Sequence, residues 1–318
     1  MVTKALGAGV TDLLVQARGA GDALYRSDVA PASPNIADRL GGEPLWDPLA
    51  EVCELASMRD DVRVHAWINV LSGWPATSPD ACTGLEPSAP GSPDHLLLRH
   101  PEAVLVDASG RPMSCPNDTD YVWVSPTHPG VVRELEAVTD ELSDRYALAG
   151  IHLDRIRFPG GGWRDPHDGS TRPWEAVTAL VGRIRDRLHD DHVLTASLVP
   201  DYGRAVNGGR EHLVEFAQDG WRWVELGLVD SVMPMVYSPI APGEPDDWGR
   251  LVGEHRRATG ETRCWTPIFA GLDATMIAQQ LRQARNWAGI GVAWYSAGLA
   301  ERHERWDVIR RVGDELGR

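Results

Sequence analysis

The 318-residue sequence predicts an α/β fold of the (β/α)8 TIM-barrel type in which seven strands are readable. Seven short runs rich in Val, Ile, Leu and Trp recur at 12–18, 62–70, 150–158, 193–199, 230–238, 262–270 and 291–297. Nearly continuous apolar runs of this length suit strands buried on both faces of a parallel sheet. Stretches with helical spacing separate them, as alternating β/α units require. No glycine fingerprint follows the first run, and no Walker A, GxSxG or HExxH pattern occurs. A doubly wound open sheet is the competing arrangement, and it lacks its usual nucleotide signature. The length is then one barrel over 1–318, with insertions at 72–121 and 159–173.

In chain order, the first run ends at Arg18 and leads into Gly19-Ala20-Gly21-Asp22, where glycine lets the backbone turn sharply. Arg18 and Asp22 are either substrate contacts or a structural ion pair that holds this turn. The second run, VRVHAWINV, puts His65, Trp67 and Asn69 on one side by strand alternation. A histidine, an indole and an amide in one row resemble a sugar-binding wall, although His65 taken alone reads more readily as a hydrogen-bonded interior histidine. Residues 72–121 are rich in Pro, Ser, Asp and Gly, and 159–173 read PGGGWRDPHDGSTRP. Both follow strands, so in a barrel they wall the face where active sites form.

Leu135, Val138, Leu142 and Tyr146 fall at three-or-four spacing, as do Val177, Leu180, Val181, Ile184 and Leu188. Between these helices, GIHLD places His152 and Asp154 on one side of a strand and Ile151 and Leu153 on the other. Asp154 stands at the strand's C-terminal end. There it serves as nucleophile, base or charge stabiliser, or else as an inward structural carboxylate paired with Arg157 or Arg18. Asp201, after Val199-Pro200, is a candidate general acid opposite Asp154 or simply a turn residue following proline. Asp273 reads as the N-cap of a helix carrying Ile277, Leu281 and Ala284, and Trp306, Ile309, Val312 and Leu316 form the last stripe.

Composition narrows the function. Hydrophobic residues make up 42% and charged residues 24%, an ordinary folded composition. A formal charge of −15 has the wrong sign for nucleic acid or anionic lipid. No export signal is readable, which by default places the chain in the cytoplasm, and no apolar run is long enough to span a membrane. Thirteen Trp and six Tyr stand against three Phe, so most rings offer a broad face or a polar edge. Trp265 and Trp294 are candidates for stacking on sugars, with filling of the core as the alternative. The four cysteines show no CxxC and no metal-ligand spacing, so no metal or cofactor is expected. They read as inert thiols, although Cys82 and Cys115 share one long segment and can pair in an oxidising compartment.

The segments VQARGAGDALYRSDVAP, DPLAEVCELA, VRVHAWINV, RHPEAVLVDASGRP, VSPTHPGVVRELEAV, RYALAGIHLDRIRFP and VDSVMPMVYS, in this order, resemble the bacterial glycosyl hydrolase-like 10 family. The resemblance runs from about residue 10 to 300. It implies a β/α-barrel glycoside hydrolase acting on a polysaccharide or a cell-envelope glycan, peptidoglycan glycan strands among them. It also implies Asp154 as the leading catalytic carboxylate, with Arg18, Asp22, His65, Trp67, Asn69, Pro234 and Tyr237 on matching motif positions; His152, Arg157, Trp265 and Trp294 complete the expected sugar-binding set. Arg155 stands where many members carry an Asp or a Tyr, which removes a potential second carboxylate. The family's first strand has no counterpart, because MVTKALGAGV resembles the tail of the helix that follows it. Either the gap is closed by rearrangement or by a homodimer, or the true start lies upstream, with any export signal. The rival function is a catalytically silent carbohydrate-binding barrel. A metal-dependent barrel hydrolase finds no His-x-His pair to support it.

Overall fold

A computed structural model describes the chain apart from residues 170–171, 202–210, 238–246, 285–286, 288–290 and 317–318. Its strands are β1 (Asp12–Arg18), β2 (Arg63–Asn69), β3 (Ser72–Pro75), β4 (Tyr121–Trp123), β5 (Gly150–Asp154), β6 (Val193–Leu198), β7 (Ser231–Pro234), β8 (Thr266–Phe269) and β9 (Val292–Tyr295). All seven apolar runs contain one of the parallel strands. The order β1-β2-β5-β6-β7 forms one sheet, and β8-β9 forms a parallel pair. The Trp265 N–H donates to the Val232 carbonyl at 3.0 Å, and this contact joins the pair to the sheet.

Burial on both faces explains the strand chemistry. Ala66, Ile68, Ile151, Leu153, Leu194, Ala196 and Val232 are fully buried. The helix Pro129–Arg145 buries Val131, Leu135, Val138 and Leu142, and Pro173–Arg185 buries Val177, Leu180, Val181 and Ile184. Tyr146 and Leu188 lie just past these helix ends. The helix Ala274–Ala284 begins where the Asp273 carboxylate accepts the Thr275 and Met276 N–H groups at 2.8 and 2.9 Å.

Strand follows strand around the barrel, and among the described residues β1 and β9 have no strand partner on their outer sides. Among the described residues no strand pairing closes the barrel between them. The helices Val2–Gly7 and Trp306–Leu316 flank this opening, where Ala8, Ala300 and Ile309 pack with Trp294 and Trp306. No described helix is long and apolar enough to cross a membrane.

The 72–121 insertion carries more order than its composition announces. β3 and β4 pair antiparallel, the turn Leu96–Arg99 buries Leu96 and Leu97, and Cys82 is disulfide-bonded to Cys115. This corrects the expectation of four inert thiols, because the β3–β4 pairing brings the two ends of the segment together. Cys53 and Cys264 are free. Residues 159–173 are joined to the same insertion by reciprocal backbone hydrogen bonds between Val106 and Arg164, at 2.9 and 2.8 Å. The turn into that loop needs Gly160, Gly161 and Gly162, whose φ values of +90°, +72° and +79° suit residues without a Cβ.

Candidate active site

Asp154 occupies the C-terminal end of β5, in register with Asn69 of β2, and is 8% exposed. Its Oδ1 accepts the Arg155 backbone N–H at 2.7 Å. Two residues deeper on the same side, His152 lies in register with Trp67. The His152 ring nitrogens are each 2.8 Å from a hydroxyl, that of Thr195 or that of Ser197. Burial pushes its pKa down to about 4 against the opposing pull of Asp154, so the imidazole is neutral at neutral pH.

Aromatic rings crowd around this carboxylate. The Trp67 Nε1–H donates to Asn69 Oδ1 at 2.9 Å, which fixes the indole edge-on to His152 and Tyr295. Tyr237 and Tyr295 stack at 5.1 Å with 14° between their planes, and Phe269 lies 5.4 Å from Tyr237. Burial first and the charge of Asp154 next raise both phenol pKa values, so both O–H groups stay available as donors.

A cavity of about 750 Å³ opens here, within the usual range for ligand sites. Its wall includes Trp67, His152, Asp154, Arg155, Pro234, Tyr237, Trp265, Trp294 and Tyr295, and it continues along the open side of the barrel to Asp12. At that far end burial, which alone would raise the Asp12 pKa, is outweighed by hydrogen bonds from His65, Arg63 and Thr11 that lower it to about 2. Apolar stacking surface, several donors and one carboxylate at a strand end can hold a sugar and act on its anomeric carbon.

The remaining sequence candidates take other positions. His65 lies below the mouth and donates to Asp12 at 2.9 Å. Asn69 supports Trp67 from behind. Arg18 is fully buried and off the cavity wall, paired with Glu134 at 3.1 Å and donating to the Val70 carbonyl at 3.3 Å. The Arg18–Asp22 ion pair is not formed, because the Asp22 Oδ1 accepts the Ala20 N–H at 2.8 Å. Packing explains the adjacent glycine: Gly21 has φ +80°, and a Cβ there would sit 2.3 Å from His95 Nε2. Neither Arg18 nor Arg157 pairs with Asp154. The Arg157 guanidinium lies over Trp123 and Phe216, at 5.2 and 5.5 Å, and donates to the Phe158 carbonyl. Asp201 follows β6 but is not part of the cavity wall, and its charge acts on His255.

Tyr295 was absent from the sequence candidates. A polar-edged aromatic at the C-terminal end of the last run was the available signal. Tyr121 and Trp123, which hold Arg155 from above, carried none, because their approach depends on how the insertion folds back.

Residues 6–160 match the family model of Glycosyl hydrolase-like 10. Glycosyl hydrolase DigH of Escherichia coli (strain K12) is 23% identical over 267 residues, covering 73% of this chain and 56% of DigH. The chain thus spans about half the length of the curated relatives it matches. Among solved structures it is similar to alpha-L-fucosidase isoenzyme 2 from Paenibacillus thiaminolyticus, with TM-score 0.53 and 14% identity over 99% of this chain and 45% of that one. A chitinase from Bacteroides thetaiotaomicron gives TM-score 0.51 and 11% identity over 96% and 89% of the two chains. These likenesses show the fold, a TIM-type barrel.

Proposed function

We propose that this chain is a glycoside hydrolase of a polysaccharide or cell-envelope glycan and that Asp154 is its catalytic carboxylate. One observation carries the reading: Asp154 stands at a barrel strand's C-terminal end among Trp67, Tyr237 and Tyr295. The other wall carboxylate, Asp12, is taken up by Arg63 and His65. Pyranose rings lie against the aromatic faces, the tyrosine hydroxyls donate to sugar oxygens, and Asp154 attacks or stabilises the anomeric centre as positive charge develops. Asp201, just past β6 and off the cavity wall, is the proposed proton donor for a leaving group that extends beyond that wall. Peptidoglycan glycan strands are the proposed envelope substrate, supported by the resemblance of residues 6–160 to the glycosyl hydrolase-like 10 family.

The test is hydrolysis of a panel containing chitin and peptide-free glycan strands by wild type, Asp154→Asn and Asp201→Asn. Loss of about 10²-fold or more in Asp154→Asn is expected, with insensitivity to chelator. Equal activity in wild type and Asp154→Asn removes Asp154 from the mechanism, and full activity in Asp201→Asn removes Asp201. Arg155, standing beside Asp154 in place of a second carboxylate, favours a second reading, a barrel that binds glycan without cleaving it. Glycan binding with no turnover by wild type selects that reading.

A further inference from the structure

Arg155 follows the catalytic carboxylate with φ +53°, a left-handed conformation that a residue with a Cβ adopts only where its surroundings impose it. Its N–H is held by Asp154 at 2.7 Å, and its carbonyl accepts the Leu71 N–H at 3.3 Å. The guanidinium lies over the Tyr121 ring, 5.0 Å from its centroid, and 5.9 Å from that of Trp123. A cation–π contact is electrostatic and uses none of the guanidinium's N–H groups in a conventional hydrogen bond, which leaves them for a planar acceptor.

The group lines the cavity, and among the described residues no side chain or carbonyl accepts from it. The other guanidinium of the wall is already used, since Arg63 pairs with Asp12 at 2.9 Å. A positioned cation with no ion-pair partner among the described residues thus follows the reacting carboxylate, in a chain of formal charge −15. An anionic substrate would be repelled by Asp154 and by the chain as a whole. Arg155, on the cavity wall, supplies a local attraction that offsets this.

We propose that Arg155 selects the substrate: its guanidinium binds the carboxylate of a sugar unit next to the cleaved bond, so the glycan is acidic. This rests on the reading of Asp154 as the glycosidase carboxylate. A planar monoanion matches one guanidinium edge through two parallel hydrogen bonds. The carboxylate belongs either to a uronic acid ring or to a lactyl ether on a hexosamine, and the chemistry of recognition is the same.

The experiment measures binding by calorimetry to the full chain carrying Asp154→Asn, which removes turnover. Two matched pairs are compared: a peptide-free N-acetylglucosamine–N-acetylmuramic acid tetrasaccharide with its lactyl methylamide, and tetragalacturonate with its carboxyl-reduced form. The expected result is a preference of at least about tenfold for the acidic member of one pair, which identifies the source of the carboxylate. Adding Arg155→Ala reduces that preference to within about twofold, and Arg155→Lys, which keeps the charge without the fork, restores only part of it. Arg155→Gly serves as the fold-safe variant, because glycine accepts φ +53° without strain. A preference that survives in Arg155→Ala and Arg155→Gly, or none in either pair, overturns the proposal. Wild-type turnover of the same compounds separates the two readings. Acidic preference without turnover leaves Arg155 as selector and removes the hydrolase, turnover without preference does the reverse, and neither binding nor turnover overturns both.

Discussion

Arg18 and Glu134 face each other at 3.1 Å with side-chain exposures of 0% and 1%, and Arg99 reaches the second Glu134 oxygen. A charge so deeply buried tolerates no loss of its partner. Glu134→Gln is expected to lower unfolding free energy by about 3–5 kcal/mol in urea denaturation, and a loss below about 1 kcal/mol would show that Arg18 finds other compensation. His152 and His255 contribute to the pH dependence, in the same direction as His95, His128 and His192, whose pKa values burial also lowers. Burial lowers both pKa values to about 4, below the ordinary histidine value near 6.5. The unfolded chain therefore binds more protons between these limits. Stability is full above about pH 6.5 and falls as pH drops toward 4, by at most about 3 kcal/mol for each histidine. Urea midpoints at pH 7 and pH 5 check this, with His152→Asn expected to flatten the slope; a midpoint that does not move contradicts it. The strand-end position of Asp154 was readable from GIHLD, because alternation is a local rule. The partner of Arg18 was not, since Glu134 lies 116 residues further on.

Helices and barrel strands repeat every few residues, and their patterns name them. The β3–β4 hairpin has no such pattern: its two short strands stand at either end of a Pro- and Gly-rich insertion and are defined by each other. The Cys82–Cys115 bond closes a loop of sequence separation 33 within it. Cys82→Ser with Cys115→Ser is expected to cost at most roughly 3–4 kcal/mol by chain entropy and to lower the melting temperature. Wild type in reductant should match the double variant, and a melting temperature indifferent to both treatments would show that β3, β4 and Leu96–Leu97 hold the insertion unaided. Tyr121 and Trp123 sit on this hairpin, so loosening it is also expected to release Arg155.

Viewed along the whole chain, seven parallel strands with an open seam leave the outer edges of β1 and β9 without strand partners among the described residues. Backbone amides on those edges are expected to exchange hydrogen faster than amides of β5, which is paired on both sides. Exchange measured by mass spectrometry checks this, and equal protection of β1 and β5 would mean that the seam is covered in solution. A homodimer joined at these edges is the proposed cover; it requires concentration-dependent sedimentation, and a concentration-independent monomer rules it out.

Local patterning alone specified the seven barrel strands, the helices between them and the place of Asp154, because two-sided burial and three-or-four spacing are written into neighbouring residues. Whether Cys82 and Cys115 pair or stay free, the burial of Arg18 against Glu134, and the stacking of Tyr237 on Tyr295 and of Arg155 over Tyr121 near Asp154 were decided only in the folded chain. Each depends on where distant segments return to meet, and that is set by packing across the whole barrel rather than by any short stretch of it.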